Sequence, residues 1–256
     1  MTRTLKLTVA YDGTRFVGWQ RQAEGVSIQG LLEEALARFE GAPVAVHGAG
    51  RTDAGVHALG QVASVQITSA HATDTVARGL NASLPPDVRV TAVQEAPADF
   101  HARFSARSKT YRYLLRNASQ VSPFERAYVW HVPEALDVDA MRTAAHVLVG
   151  THDFAAFRST GSDTQGTVRT ITRSELTSGT FSGWQDTSTG TFLTYEVSGD
   201  GFLRHMVRAV VGTLVEIGRG RRPAASMDAL LGGGSRAQAG ATAPPQGLFL
   251  VRVVYD

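Results

Sequence analysis

The chain has no cysteine, and of its 256 residues only Lys6 and Lys109 are lysine. The first absence excludes disulfides, thiol catalysis, iron–sulfur clusters and any zinc site built on sulfur. No apolar run approaches the roughly 18 residues of a membrane helix. The opening MTRTLKLTVA lacks the apolar core of a signal peptide. A soluble, cytoplasmic protein with no membrane partner is therefore expected, and the N-x-S matches at Asn81 and Asn117 are read as chance. The 26 glycines follow no Gly-X-Y period, which excludes collagen, and 43% hydrophobic residues exclude a disordered chain. The length allows one large domain or two small ones.

With lysine scarce, arginine carries the positive charge. The net charge is only +2, yet the bases cluster. Asp99–Arg116 holds Arg103, Arg107, Lys109, Arg112 and Arg116 against Asp99 alone, a local charge of +4. Gly201–Arg222 holds Arg204, Arg208, Arg219, Arg221 and Arg222 against Glu216, again +4. The planar guanidinium fork suits phosphate, so two such segments on a nearly neutral chain point to a polyanion, or more plainly to two solvated faces.

Hydrophobic periodicity gives the same order of elements twice. The first run is strand Leu5–Tyr11, helix Ser27–Phe39, strands Val44–His47 and Gln61–Ile67, helix Thr73–Leu80 and strand Val88–Val93. Ser27 is a plausible helix cap and Gly41 a stop. The second run is strand Thr110–Arg116, helix Val138–Val149, strands Val168–Thr177 and Thr191–Ser198, helix Leu203–Ile217 and strand Gly247–Val254. The expected fold is α+β: two related β-α-β-β-α-β, ferredoxin-like halves with antiparallel sheets, over residues 1–104 and 105–256. Gly232–Gly240 and Ala241–Pro245 read as a flexible connection, and Arg158–Thr167 as a polar, mobile loop. The loop Gly183–Gly190 matches no motif.

Between two predicted strands lies Gly48-Ala49-Gly50-Arg51-Thr52-Asp53-Ala54-Gly55-Val56-His57-Ala58-Leu59-Gly60. Its glycines permit tight turns and close backbone approach. The spacing fails the dinucleotide fingerprint, because Gly55 comes two positions late after Gly48 and Gly50. It fails the P-loop too, since Val56 and His57 stand where Lys and Ser/Thr are required. No histidine spacing suggests a metal. On spacing alone, Asp53 is as readily a turn-former as a reactive carboxylate.

The run Gly50–Ala58 resembles the signature of the tRNA pseudouridine synthase A (TruA) family, and further segments follow in that family's order. They are Tyr11-Asp12-Gly13 with Gly18-Trp19-Gln20, Phe100–Ala106 with Tyr111-Arg112-Tyr113, His152-Asp153-Phe154, Thr167–Ile171, Gly201–Arg208 and Gly247-Leu248. The resemblance implies a pseudouridine synthase fold and isomerisation of uridine to pseudouridine at positions 38, 39 and 40 of the tRNA anticodon stem-loop. It also implies a homodimer that uses no cofactor and no metal.

By the same resemblance Asp53 is the catalytic nucleophile, attacking either C6 of the base or C1′ of the ribose. Arg51 is catalytic beside it, as a partner for the carboxylate and as a filler of the space left by the flipped nucleotide. Tyr111 stacks on the base and its hydroxyl is a candidate for the C5 proton; an ordinary strand aromatic is the plain alternative. Arg204 and Arg208, four apart on one face of the predicted helix, are substrate-binding, as are Arg103 and Arg107. His57 and His205 receive no acid–base role, and Phe16 and Trp19 either stack on RNA or pack in the core. Two other classes stay open. An RNA-binding module without catalysis would need the bases but not the Asp53 loop, and a carboxylate hydrolase would need a second acid, for which Asp12 is the candidate.

Overall fold

A computed structural model describes residues 2–159, 166–179 and 190–256. Parts of Arg158–Thr167 and nearly all of Gly183–Gly190 lie outside them. The chain is mixed α/β with mostly antiparallel strands. It forms two compact units, residues 1–109 with 249–256, and residues 110–248.

In the first unit β1 (Arg3–Tyr11) lies between β4 (Val88–Ala96) and β3 (His57–Ile67), antiparallel to both. Its alternation buries Leu5, Leu7, Val9 and Tyr11 on one side, as a half-buried strand requires. The short β2 (Val46–Gly48) runs antiparallel along the C-terminal part of β3, whose first residues, His57 and Ala58, pair in parallel with Phe249 and Leu250. Helix α1 (Ile28–Glu40) starts where Ser27 Oγ accepts the Gly30 N–H at 3.1 Å and stops at Gly41, left-handed at φ 73°. It buries Ile28, Leu32, Ala35 and Leu36, one apolar stripe at helical spacing. Helix α2 (Thr73–Ser83) outlasts its predicted end at Leu80. The Asn81 amide exchanges hydrogen bonds of 2.8 and 2.9 Å with the backbone of Val90, tying the last turn to β4.

The largest departure from the local pattern is β3. It begins at His57, four residues before the predicted Gln61, and shortens the glycine-rich loop to residues 49–56. Tyr11↔Ala58 and Phe249↔His57 supply pairing that a local window does not see.

The second unit orders its strands β5 (Ser108–Asn117), β9 (Thr191–Gly199), β8 (Val168–Gly179) and β7 (Gly150–Asp153), with β6 (Trp130–Val132) parallel to β5. Helix α3 (Val138–His146) ends three residues before the predicted Val149. Helix α4 (Met206–Gly218) begins three residues after the predicted Leu203, because His205 takes a left-handed φ of 62° and Leu203 O accepts the Met206 N–H. A short α5 (Ser226–Leu231) follows, which the periodicity had not indicated. The Gly/Ala-rich stretch after it is packed rather than loose. Ala239 and Ala243 are buried, and a Cβ on Gly212 of α4 would lie 1.6 Å from the Ala241 carbonyl. Small residues are there so that two backbones can touch.

Candidate active-site loop

Residues 49–56 leave β2 and enter β3. Gly55, left-handed at φ 75°, makes the turn, and the Val56 N–H closes it on the Asp53 carbonyl at 3.1 Å. Thr52 is buried, whereas Arg51 is exposed and Asp53 half-buried, so the backbone turns its threonine inward.

Beneath that threonine lies a buried polar network. Gln61 Nε2 donates to the Gly50 carbonyl at 2.9 Å and, at 3.4 Å, to the Tyr11 hydroxyl. The Tyr11 oxygen stands 2.8 Å from Thr52 Oγ1. The Trp19 N–H takes the Thr52 carbonyl at 3.0 Å, and Gln61 Oε1 accepts the Val62 N–H at 3.2 Å. Burial pushes the Tyr11 hydroxyl up to about 12, so at neutral pH it keeps its proton and can donate it to Thr52. Gly50 and Thr52, which both precede Asp53 in the turn, are thus anchored to β1 and β3. The stem of Lys109 also approaches: its Cε lies 3.5 Å from where a Cβ on Gly50 would stand.

A second brace holds the exit. His57, 2% exposed, stacks on Phe249 with ring centroids 4.7 Å apart and accepts the Gly13 N–H on Nδ1 at 3.0 Å. Asp12 Oδ1 lies 3.2 Å from that nitrogen and accepts the N–H and the hydroxyl of Thr14 at 3.0 and 2.6 Å. His57 thus ties Gly13, Asp12 and Phe249 to the start of β3. Asp12, the second acid a hydrolase would need, serves here as the cap of a turn. Phe16 and Trp19 are both buried, and the Trp19 ring packs against Gly48 and Tyr11.

Of the residues singled out in the sequence, Asp53, Arg51, Arg103 and Arg107 belong to the first unit; Tyr111, Arg204 and Arg208 belong to the second. Tyr111 is buried on β5, its ring edge-on to Phe202 at 5.0 Å. Arg204 is exposed in the turn before α4, so it and Arg208 do not share a helical face: the left-handed His205 breaks the register between them. Arg208 Nε donates to the Ala243 carbonyl at 2.7 Å, which anchors the Gly/Ala-rich stretch.

The formal +4 of each basic segment is also partly offset by acids elsewhere in the chain. Arg107 Nε binds Asp256 at 2.8 Å, and Arg112 binds Glu196 at 2.9 Å. Arg116, 2% exposed, faces the equally buried Glu125 at 3.8 Å and is shut off from any phosphate. Arg219 pairs with Glu134, while Arg222 pairs with Glu216, the acid already counted in that segment's charge. Among the described residues no group of three His, Asp or Glu side chains is placed to hold a metal ion, and no helix is long and apolar enough to cross a membrane.

Residues 7–105 and 144–256 match the family described as tRNA pseudouridine synthase. Proteins named tRNA pseudouridine synthase A align over nearly the whole chain. That of Syntrophotalea carbinolica is 45% identical over 251 residues, 98% of this chain and 96% of its own. That of Myxococcus xanthus is 48% identical over 251 residues, 98% and 91% of the two chains. That of Geotalea uraniireducens is 44% identical over 253 residues, 99% of this chain and 100% of the relative.

Proposed function

The chain belongs to the tRNA pseudouridine synthase family, a family of isomerases, and on that premise we propose that it converts uridine to pseudouridine at positions 38, 39 and 40 of the tRNA anticodon stem-loop, with Asp53 as nucleophile. The observation that carries the reading is the loop itself: the nine-residue run Gly50–Ala58, with a half-buried aspartate on backbone anchored from below at Gly50 and Thr52.

The reaction breaks the N1–C1′ bond and joins C1′ to C5 of the same uracil. The proton on C5 leaves and N1 gains one, so nothing is consumed. An ionised Asp53 attacks C6 or C1′ and holds the base or sugar while the uracil turns. The base must first leave its stack, at a cost of a few kcal/mol, and Arg51, exposed two residues away, takes the place it vacates. Tyr111 is assigned the stacking contact with the base, and its hydroxyl oxygen, once ionised, is the candidate acceptor for the C5 proton. Arg103 and Arg204, both exposed, contact phosphates. Arg107 joins them by giving up Asp256, and Arg208 supports the site from its bond to Ala243.

The fold proposed with this function is a pair of related ferredoxin-like halves, 1–104 and 105–256. It is supported in the first by the order β1-α1-β2-β3-α2-β4 with β1 between β3 and β4. The working form is a cytoplasmic homodimer. Unmodified tRNA carrying tritium at uracil C5 tests the reading. Label released to water from the anticodon stem-loop, with pseudouridine in the product, is the expected result. Free uracil or unchanged RNA would overturn it.

A further inference from the structure

Phe104 is 75% exposed, the most exposed large apolar side chain among the described residues. It does not stand alone. Its ring centroid lies 4.4 Å from that of His101, which lies 5.0 Å from that of His47, with interplanar tilts of 36° and 31°. The Arg103 guanidinium sits 5.4 Å from the Phe104 centroid. Three rings and a cation thus make one continuous surface, and His47 belongs to β2, the strand that feeds the Asp53 loop.

The turn that presents this surface is held in place. Ala102, fully buried, donates its N–H to Ser64 Oγ at 3.1 Å and accepts the Tyr255 hydroxyl on its carbonyl at 2.7 Å. His101 and Ser105 exchange bonds of 3.1 and 2.9 Å, and His101 Nδ1 accepts the Arg103 N–H at 3.1 Å. Burial, His47 and Arg103 all lower the His101 pKa, so its ring stays neutral beside Phe104 at physiological pH. A rigid turn that holds an aromatic ring out in water has its ordering cost met before any partner arrives.

We infer that the His47–His101–Phe104 surface, with Arg103, is a stacking platform for an unpaired base of the RNA substrate, distinct from the reacting uridine. An aromatic ring accepts the face of any base, and the adjacent guanidinium supplies both cation–π attraction and a phosphate contact. Two copies meeting patch to patch would set one Arg103 guanidinium against the other, which disfavours self-association through this surface. The inference rests on the tRNA reading above.

Phe104→Ala, a change at an exposed site, is expected to raise both Kd and KM for an anticodon stem-loop RNA by about tenfold, with kcat at saturation within about twofold. Phe104→Trp is expected to restore binding to near wild type. Arg103→Gln is expected to reduce the slope of log affinity against log salt by about 0.7–0.9. Wild-type turnover on tRNA, measured in the same experiment, checks the parent reading separately: its absence sinks that reading and this one with it. Turnover with unchanged Kd and KM in Phe104→Ala overturns the platform alone. A Phe104→Ala protein whose mass by light scattering differs from wild type would overturn it too, by assigning the patch to contact between copies.

Discussion

Tyr11→Phe removes one oxygen from beneath the Asp53 loop and leaves the ring in place. Lost with it are the 2.8 Å bond to Thr52 Oγ1 and the longer 3.4 Å contact from Gln61. A net hydrogen bond is worth about 1 kcal/mol, and a buried partner left unsatisfied raises the cost to about 1–3 kcal/mol. Thr52 is 6% exposed and Gln61 fully buried, so water has little access to make up the loss. A loss of about 2 kcal/mol corresponds to a fall of roughly 4–8 °C in the unfolding midpoint for a chain of this size. Because the bond ends one residue before Asp53, kcat should fall more than KM rises, as nucleophile placement loosens while phosphate contacts persist. The measurement is a double-mutant cycle of Tyr11→Phe and Thr52→Val, read by thermal unfolding and by steady-state rates. The two changes should couple by about 1 kcal/mol, the double variant recovering part of the loss. Additivity to within about 0.3–0.5 kcal/mol would refute the claim that this bond anchors the loop.

Asp53→Asn should abolish pseudouridine formation while tRNA affinity stays within a few-fold, since backbone contacts supply most of the binding; near-normal turnover in the folded variant removes Asp53 from its role. Tyr111→Phe should lower single-turnover rates steeply at unchanged affinity if the hydroxyl takes the C5 proton, and Phe at full rate leaves the ring as a stacking surface only. Glu125→Gln should destabilise the protein by up to about 3 kcal/mol, because it removes the carboxylate charge that faces the buried Arg116 guanidinium at 3.8 Å. Arg116→Gln should likewise show up in the melting midpoint and not in the salt dependence of tRNA binding. Burial holds Tyr11 up to about 12 and pushes Tyr113, Tyr195 and Tyr255 higher still. Unfolded tyrosines ionise near 10, so between pH 10 and 12 the unfolded chain holds fewer protons and stability falls as pH rises, by about 3 kcal/mol for Tyr11 alone. Absorbance at 295 nm should show these four ionising together with loss of helical circular dichroism; free titration of all six tyrosines near pH 10 in folded protein would contradict this.

What the sequence determined by itself is whatever a short window encodes. Strand β1 declares its buried face through Leu5, Leu7 and Val9, and α1 carries both its cap at Ser27 and its stop at Gly41. The stripe from Met206 to Val215 is core, as its spacing predicts. The family is legible because the nine consecutive residues Gly50–Ala58 carry its resemblance. Periodicity reports which side of an element is buried, not what covers it, and so β3 starts at His57 only through its pairing with strands that lie distant in sequence. Formal charge is blind to neutralisation: Arg107, Arg112 and Arg116 read alike in sequence, and only the tertiary structure hands each a different carboxylate, in Asp256, Glu196 and Glu125. The same holds beneath the loop. Tyr11, Thr52 and Gln61 are three unremarkable polar residues until a fold that excludes water leaves them no partners but one another and the neighbouring backbone.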